Sequence, residues 1–263
     1  MNKKIRRNNI VLITGAAGHI GSAIAEDFAK KNSDLILIDI DKKNLSKLKS
    51  KLSKKYNSKI NIFICDMAIQ SQLDNLIKEI LKEFKIIDTI INSIGMVGTD
   101  KMAGWNTKYE HQNRDSWKKC IDINLSSIFF LIQNIYKKMQ KSKNPSIVNI
   151  SSIYGIIGPD LDLYSGTEIY NPGAYSISKA GVVHMTKWLA STLSPKIRVN
   201  CVSPGGVYRN QSSKFIKKYV SRTLLKRMAT ESDIVGPVVF LASSDALYIT
   251  GANLIVDGGW TIK

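Results

Sequence analysis

Apolar positions in this chain fall into short continuous runs, separated by longer stretches in which they recur every three or four residues. The runs, at residues 10–14, 35–39, 60–65, 89–92, 147–151, 197–202 and 254–256, are rich in Ile, Val and Leu, as strands buried on both faces are. Between them, residues 20–30, 42–55, 72–84, 116–139 and 174–193 carry helical periodicity. Strands alternating with helices imply right-handed crossovers, and so an α/β fold with a doubly wound parallel sheet. Residues 1–263 read as a single domain, a length one core can serve, with no repeat or linker. Residues 96–115 and 154–173 lack periodicity, and both follow predicted strands. Ligands of open α/β sheets bind beyond the carboxyl ends of the strands, so both segments are expected to line a substrate site.

Composition narrows the picture. A 44% hydrophobic content with six prolines suits a compact globule, and no apolar run approaches the roughly 18 residues of a membrane span. The basic start, Lys3 to Arg7, precedes an apolar run too short for a signal peptide and is read as leading into the first strand. Cys65, Cys120 and Cys201 are odd in number and far apart, which suits a reducing cytoplasm and gives neither a disulfide framework nor metal-ligand spacing. The histidines, His19, His111 and His184, are too scattered to suggest a site. A net charge of +17 invites a nucleic-acid partner, but the lysines are spread over helix faces such as 42–55, without a stacking aromatic platform. We therefore expect no nucleic acid and no membrane as partner, and a field that favours anionic small molecules.

The first run passes into Thr14-Gly15-Ala16-Ala17-Gly18-His19-Ile20-Gly21 and then a helix. In that context glycine permits the tight turn and lets the backbone approach a pyrophosphate, whose charge the first helical amides stabilise. Gly15, Gly18, Ile20 and Gly21 are candidate cofactor contacts. The second strand closes on Asp39, 18 residues after Gly21, the spacing of ribose recognition. A carboxylate there accepts from the adenosine hydroxyls and repels a 2′-phosphate. NAD is thus expected over NADP, with Lys42 and Lys43 the argument for NADP.

Further along stand Asn92-Ser93-Ile94-Gly95, Asn124 within a long helix, Asn149-Ile150-Ser151-Ser152, Tyr175-Ser176-Ile177-Ser178-Lys179, Asn200 to Gly206, and Asp257-Gly258-Gly259-Trp260. Tyr175 and Lys179, four residues apart, share one helix face, so the lysine approaches the phenol through a bound nucleotide's ribose. A free phenol titrates at about pH 10, and a nearby ammonium lowers that value. Tyr175 then serves as general base, taking an alcohol's proton as hydride leaves for the nicotinamide, and returning it in the reverse direction.

In this order the motifs closely resemble the single-domain branch of the short-chain dehydrogenase/reductase family, over nearly the whole chain. The resemblance implies a Rossmann-like fold, a homodimer or homotetramer packed through the helices starting near Ser116 and Ala174, and further roles. Ser152 would hold the substrate oxygen and Asn124 would support the lysine through water; Ser152 is preferred to Ser151 as the last position of Asn-x-x-Ser, though strand alternation leaves that choice open. Asp66 would face the adenine and Asn92 the adenosine ribose, with Met67 also a cofactor contact. The backbone from Pro204 to Val207 would meet the nicotinamide amide.

Three departures stand out. Glycines at 15, 18 and 21 follow a spacing more often seen in the longer, nucleotide-sugar-modifying branch. The threonine common after Pro-Gly is absent, with Val207, Tyr208, Arg209 and Asn210 in its place. Ser152 and Tyr175 stand 23 positions apart, farther than in most of the family. The extra stretch, Pro159 to Glu168, resembles oxidoreductases of bacterial surface glycans, including flagellin modification proteins linked to nonulosonic acid sugars. That resemblance implies a sugar, phosphorylated or nucleotide-linked, with Tyr164, Thr167, Glu168 and Arg209 as contacts. The expected activity is an NAD-dependent sugar alcohol/ketone oxidoreductase of glycan precursor synthesis. A 3-oxoacyl or other carbonyl reductase is the second reading, and a non-catalytic nucleotide-binding regulator the third. Hydroxyls and carboxylates in the extra stretch weigh against an apolar acyl pocket.

Overall fold

The computed structural model describes residues 8–97, 101–166 and 170–263. The basic start at Lys3 to Arg7 and the substrate contacts expected at Thr167 and Glu168 lie outside them. Seven strands, β1 (Ile10–Thr14), β2 (Asp34–Asp39), β3 (Ile60–Ile64), β4 (Thr89–Asn92), β5 (Ser146–Ile150), β6 (Arg198–Pro204) and β7 (Asn253–Val256), form one sheet in the order β3-β2-β1-β4-β5-β6-β7. Every pairing is parallel. Between β1 and β4 the order reverses direction, the point at which doubly wound sheets open a crevice.

Alternation along each strand divides the core in two. Leu12, Ile36, Ile38, Ile90, Ile147 and Val199 face α3 (Gln70–Glu83), α5 (Ser127–Met139) and α6 (Gly173–Leu193). Their neighbours Val11, Ile13, Leu35, Leu37, Ile91, Val148 and Val202 face α1 (His19–Lys30), α2 (Lys42–Lys55) and α8 (Glu231–Ala242). With both sets fully buried, a one-residue register slip would only exchange apolar side chains between the two faces. Register is held instead by side chains at strand ends, such as Asn92 donating to Asn149 at 2.8 Å.

The helix expected over 116–139 begins earlier, as α4 (Arg114–Ile121), and continues into α5 through a single π turn at Asp122–Ser126. That turn, of a kind that often marks functional positions, contains Asn124. Two helices not assigned from the sequence, α7 (Ser213–Arg222) and α8, fill the stretch between β6 and β7. Pro237 inside α8 explains why its pattern did not read as helical. Among the described residues no helix is long and apolar enough to cross a membrane.

Candidate active site

The glycine turn is shaped by close backbone approach. Gly15 has φ of 65°, and a Cβ there would lie 2.7 Å from Ile94 Cα; a Cβ on Gly21 would lie 2.1 Å from the Gly15 carbonyl oxygen. Gly18 is the N-cap of α1 and brings no side-chain cap, so the first-turn amides, Ile20 among them, are left for a ligand. Asp39 Oδ2 accepts from Ala17 N at 2.8 Å while its Oδ1 accepts from Asp41 N at 2.9 Å, fixing the turn against the end of β2. Gly15, Ala17, Gly18, Asp39 and Asp41, with Asp66, Met67 and residues 93–96, line a cleft of about 450 Å³; Ile20 and Gly21 do not line it. Lys42 and Lys43 are exposed at the start of α2 and do not line it; Lys101 and Lys119, not singled out from the sequence, do.

Asn92 ends β4. Its side chain has no exposed surface, and it is held by Thr14 and by Asn149, which in turn donates to Thr186 Oγ1 at 2.9 Å. This relay ties β1, β4, β5 and α6 together through the Asn92 side chain.

At the carboxyl end of β5, α6 brings Tyr175 and Lys179 onto one face, as their spacing predicts. The Ser152 hydroxyl lies near enough to the Tyr175 phenol to favour its ionised form and accepts from Tyr154 N at 3.2 Å. Ser151 instead donates to the Lys179 carbonyl at 2.7 Å, so its hydroxyl is turned away. Lys179 Nζ donates to Ile150 O at 3.0 Å and lies 6.0 Å from the centre of the Tyr175 ring. Burial pushes the Tyr175 phenol above its ordinary range, opposed by the Ser152 hydroxyl, and pushes Lys179 down to about 8. The lowering of the phenol by the ammonium, expected from the spacing, is not among the influences on Tyr175, which is raised first by burial and then by Tyr164 and Cys120 against the lowering by Ser152. Asn124 accepts from Met96 N at 2.7 Å and donates to Ser178 Oγ at 3.0 Å. Beside it, a Cβ on Gly95 would come within 3.2 Å of Lys179 Nζ.

The aperiodic segments flank Tyr175. Its ring packs against a cluster of Met96, Trp105, Cys120 and Ala174. Across from it, Tyr154 and Tyr164 share a hydroxyl contact of 2.9 Å, and Tyr164, Phe215, Tyr219 and Trp260 follow one another at centroid distances of 6.0, 6.1 and 5.7 Å. The extra stretch is tied to α7 by the Arg222–Asp160 ion pair and by Lys218 Nζ, which donates to Asp162 O at 2.6 Å and Ser165 O at 3.0 Å. The Asp160 carboxylate is thus taken up by Arg222, and the wall it was expected to make polar is largely aromatic. Arg209, expected among substrate contacts, instead pairs with Glu231 at 2.7 Å. Pro204 ends β6, and Val207 bridges to Ala229.

A family model described as "Enoyl-(Acyl carrier protein) reductase" matches residues 15–261. The chain belongs to the short-chain dehydrogenase/reductase family. It is an NAD(P)-dependent oxidoreductase by that membership. It is 33% identical to post-translational flagellin modification protein A of Campylobacter coli over 258 residues, 96% of this chain and 98% of the relative. It is 31% identical to the 3-oxoacyl-(acyl-carrier-protein) reductase FabG of Thermotoga maritima, over 96% of this chain and 98% of that one. A short-chain dehydrogenase of Leptospira borgpetersenii, solved with bound NAD+, superposes with a TM-score of 0.84 at 34% identity, covering 97% of this chain and 93% of that one.

Two residues of the site not singled out from the sequence are Ser178, which holds Asn124, and Tyr219, whose hydroxyl accepts from Gly206 N in the loop after β6. Ser178 lies within the quoted Tyr-to-Lys motif, one residue before Lys179, which is the signal that was available. Nothing local marks Tyr219, since its partners lie far from it in the chain.

Proposed function

We propose that this enzyme interconverts a secondary alcohol and a ketone with Tyr175 as general acid/base. The observation that carries the reading is the meeting of Tyr175, Ser152 and Lys179 beside the nucleotide cleft, at the carboxyl edge of the sheet. Ser152, beside the phenol, holds the substrate oxygen against it. In oxidation Tyr175 accepts the hydroxyl proton, and in reduction it donates that proton to the carbonyl oxygen. Lys179 supplies the buried charge that favours the phenolate, and Asn124 keeps the Met96 backbone in place beside it. The dinucleotide, when bound, supplies or accepts the hydride.

Gly15, Gly18, Ile20, Gly21, Asp39, Asp66, Met67, Pro204 and Val207 would hold that cofactor. NAD is favoured over NADP because the Asp39 carboxylate lies on the cleft wall, and the Leptospira relative was solved with NAD+. The substrate is a polar sugar, phosphorylated or nucleotide-linked. The flagellin-modification relative and the net charge of +17 support this, the charge favouring anions. The aromatic wall and the Thermotoga relative favour a second reading, reduction of a 3-oxoacyl group. We further propose that residues 1–263 act as one domain in the cytoplasm, the three buried cysteines forming no disulfide. The exposed Phe130, Ile177 and Trp188 on α5 and α6 support a homodimer or homotetramer.

The test is oxidation of NADH or NADPH against keto-sugar phosphates, nucleotide sugars and 3-oxoacyl thioesters. Turnover of a sugar with tighter NADH binding is expected. Turnover of thioesters alone would replace the sugar reading, tighter NADPH binding would remove the role given to Asp39, and NADH binding without any turnover would point to a regulator.

A further inference from the structure

Two of the departures from the family pattern meet in space. His19, beside the middle glycine of the turn, opens α1; Arg209 lies in the loop after β6, where a threonine is common. Their side chains contact the same oxygen: Glu231 Oε1 is 2.7 Å from Arg209 Nη1 and 3.7 Å from His19 Nδ1. Glu231 stands in the first turn of α8, where its charge complements the helix dipole.

The Arg209 loop is not loose. Tyr208 N donates to Ala229 O at 2.8 Å, Ala229 N to Gly206 O at 3.0 Å, and Gln211 accepts from Arg209 N while donating to Val207 O. The Arg209 side chain as a whole is three-quarters buried. Through the shared Glu231 oxygen it is brought next to His19, the first residue of α1, where uncapped amides favour an anion. A planar, permanently charged fork at that point suits a diphosphate better than a point charge would.

We propose that Arg209 is a latch for the dinucleotide's pyrophosphate: it rests on Glu231 in the free enzyme and exchanges that carboxylate for the phosphates when the cofactor binds. Glu231 competes for the same guanidinium and so sets how tightly the latch closes. This rests on the nucleotide reading of the glycine turn given above and moves Arg209 from the substrate to the cofactor.

The test is binding, not turnover. Dissociation constants for NADH and ADP-ribose, which both carry the diphosphate, are compared with that for adenosine, which lacks it, by fluorescence and ligand-observed NMR. Arg209→Ala should weaken NADH and ADP-ribose by about tenfold and leave adenosine unchanged, and Arg209→Lys should fall between. Glu231→Gln should tighten NADH by about threefold at low salt, with no such gain in the Arg209→Ala background. Unchanged NADH binding in Arg209→Ala, an equal loss for adenosine, or weaker NADH binding in Glu231→Gln would overturn the latch. Failure of the wild-type chain to bind NADH at all would instead overturn the nucleotide reading beneath it.

Discussion

Around the ends of β1 and β2 the working groups are main-chain amides and one carboxylate, all within residues 14–41. Around the ends of β5 and β6 they are side chains drawn from positions as distant as Met96, Tyr154, Tyr219 and Trp260. The first arrangement depends on where glycines leave room, and tolerates little change. The second depends on which side chains pack together, so its shape can be altered one contact at a time while the nucleotide end stays as it is.

The sharpest way to break that contrast is Gly21→Ala. The added Cβ would sit 2.1 Å from the Gly15 carbonyl oxygen, so backbone must shift. We expect a loss of about 2–4 kcal/mol in denaturant unfolding, and NADH affinity should fall by more than about tenfold in a fluorescence titration. A variant that folds and binds like the parent would mean the turn is looser than its geometry indicates.

Lys179 lies where the two ends meet. Burial lowers it from 10.5 to about 8, so between those values the folded chain holds fewer protons on this residue than the unfolded chain. Stability attributable to Lys179 should therefore rise with pH across the window, the penalty being complete below about 8. Tyr175, Cys65 and Cys201, all raised by burial, act in the opposite sense, the phenol above 10 and the thiols above 9.0, which leaves about 8 to 9 as the clean interval. Lys179→Met should lack this slope and be more stable than the parent near neutrality by about 2–3 kcal/mol, while losing activity. Equal slopes in denaturant midpoints measured across that interval would show that the amine is not held in a desolvated site.

The smallest effect belongs to the substrate end. Arg222 joins α7 to Asp160 and is nearly half exposed, so Arg222→Ala should change stability by under about 1 kcal/mol. It should raise the KM of the carbonyl substrate severalfold and leave the NADH dissociation constant alone. A matching shift in both constants would mean the two ends are not separable.

The same contrast governs what was legible in the sequence. Strand runs near 10–14 and 89–92, the glycine turn, and the four-residue step from Tyr175 to Lys179 follow from local periodicity and spacing, and they appear where expected. Helix α8 was hidden by Gly236 and Pro237 inside it, and the π turn at Asn124 has no compositional mark. Alternation does not say which polar strand-end side chain turns inward; for Asn92, Asn149 and Thr14 decide that. The pairing of Asp160 with Arg222, 62 positions later in the chain, is a tertiary choice no local pattern carries.

In the proposed reaction the Tyr175 hydroxyl carries the proton. Tyr175→Phe removes that oxygen and keeps the ring that packs on Met96 and Trp105. With a substrate from the panel, hydride transfer followed in a single turnover should fall by about a thousandfold or more, while NADH binds within about twofold of the parent. Parent-like transfer in Tyr175→Phe would contradict that role.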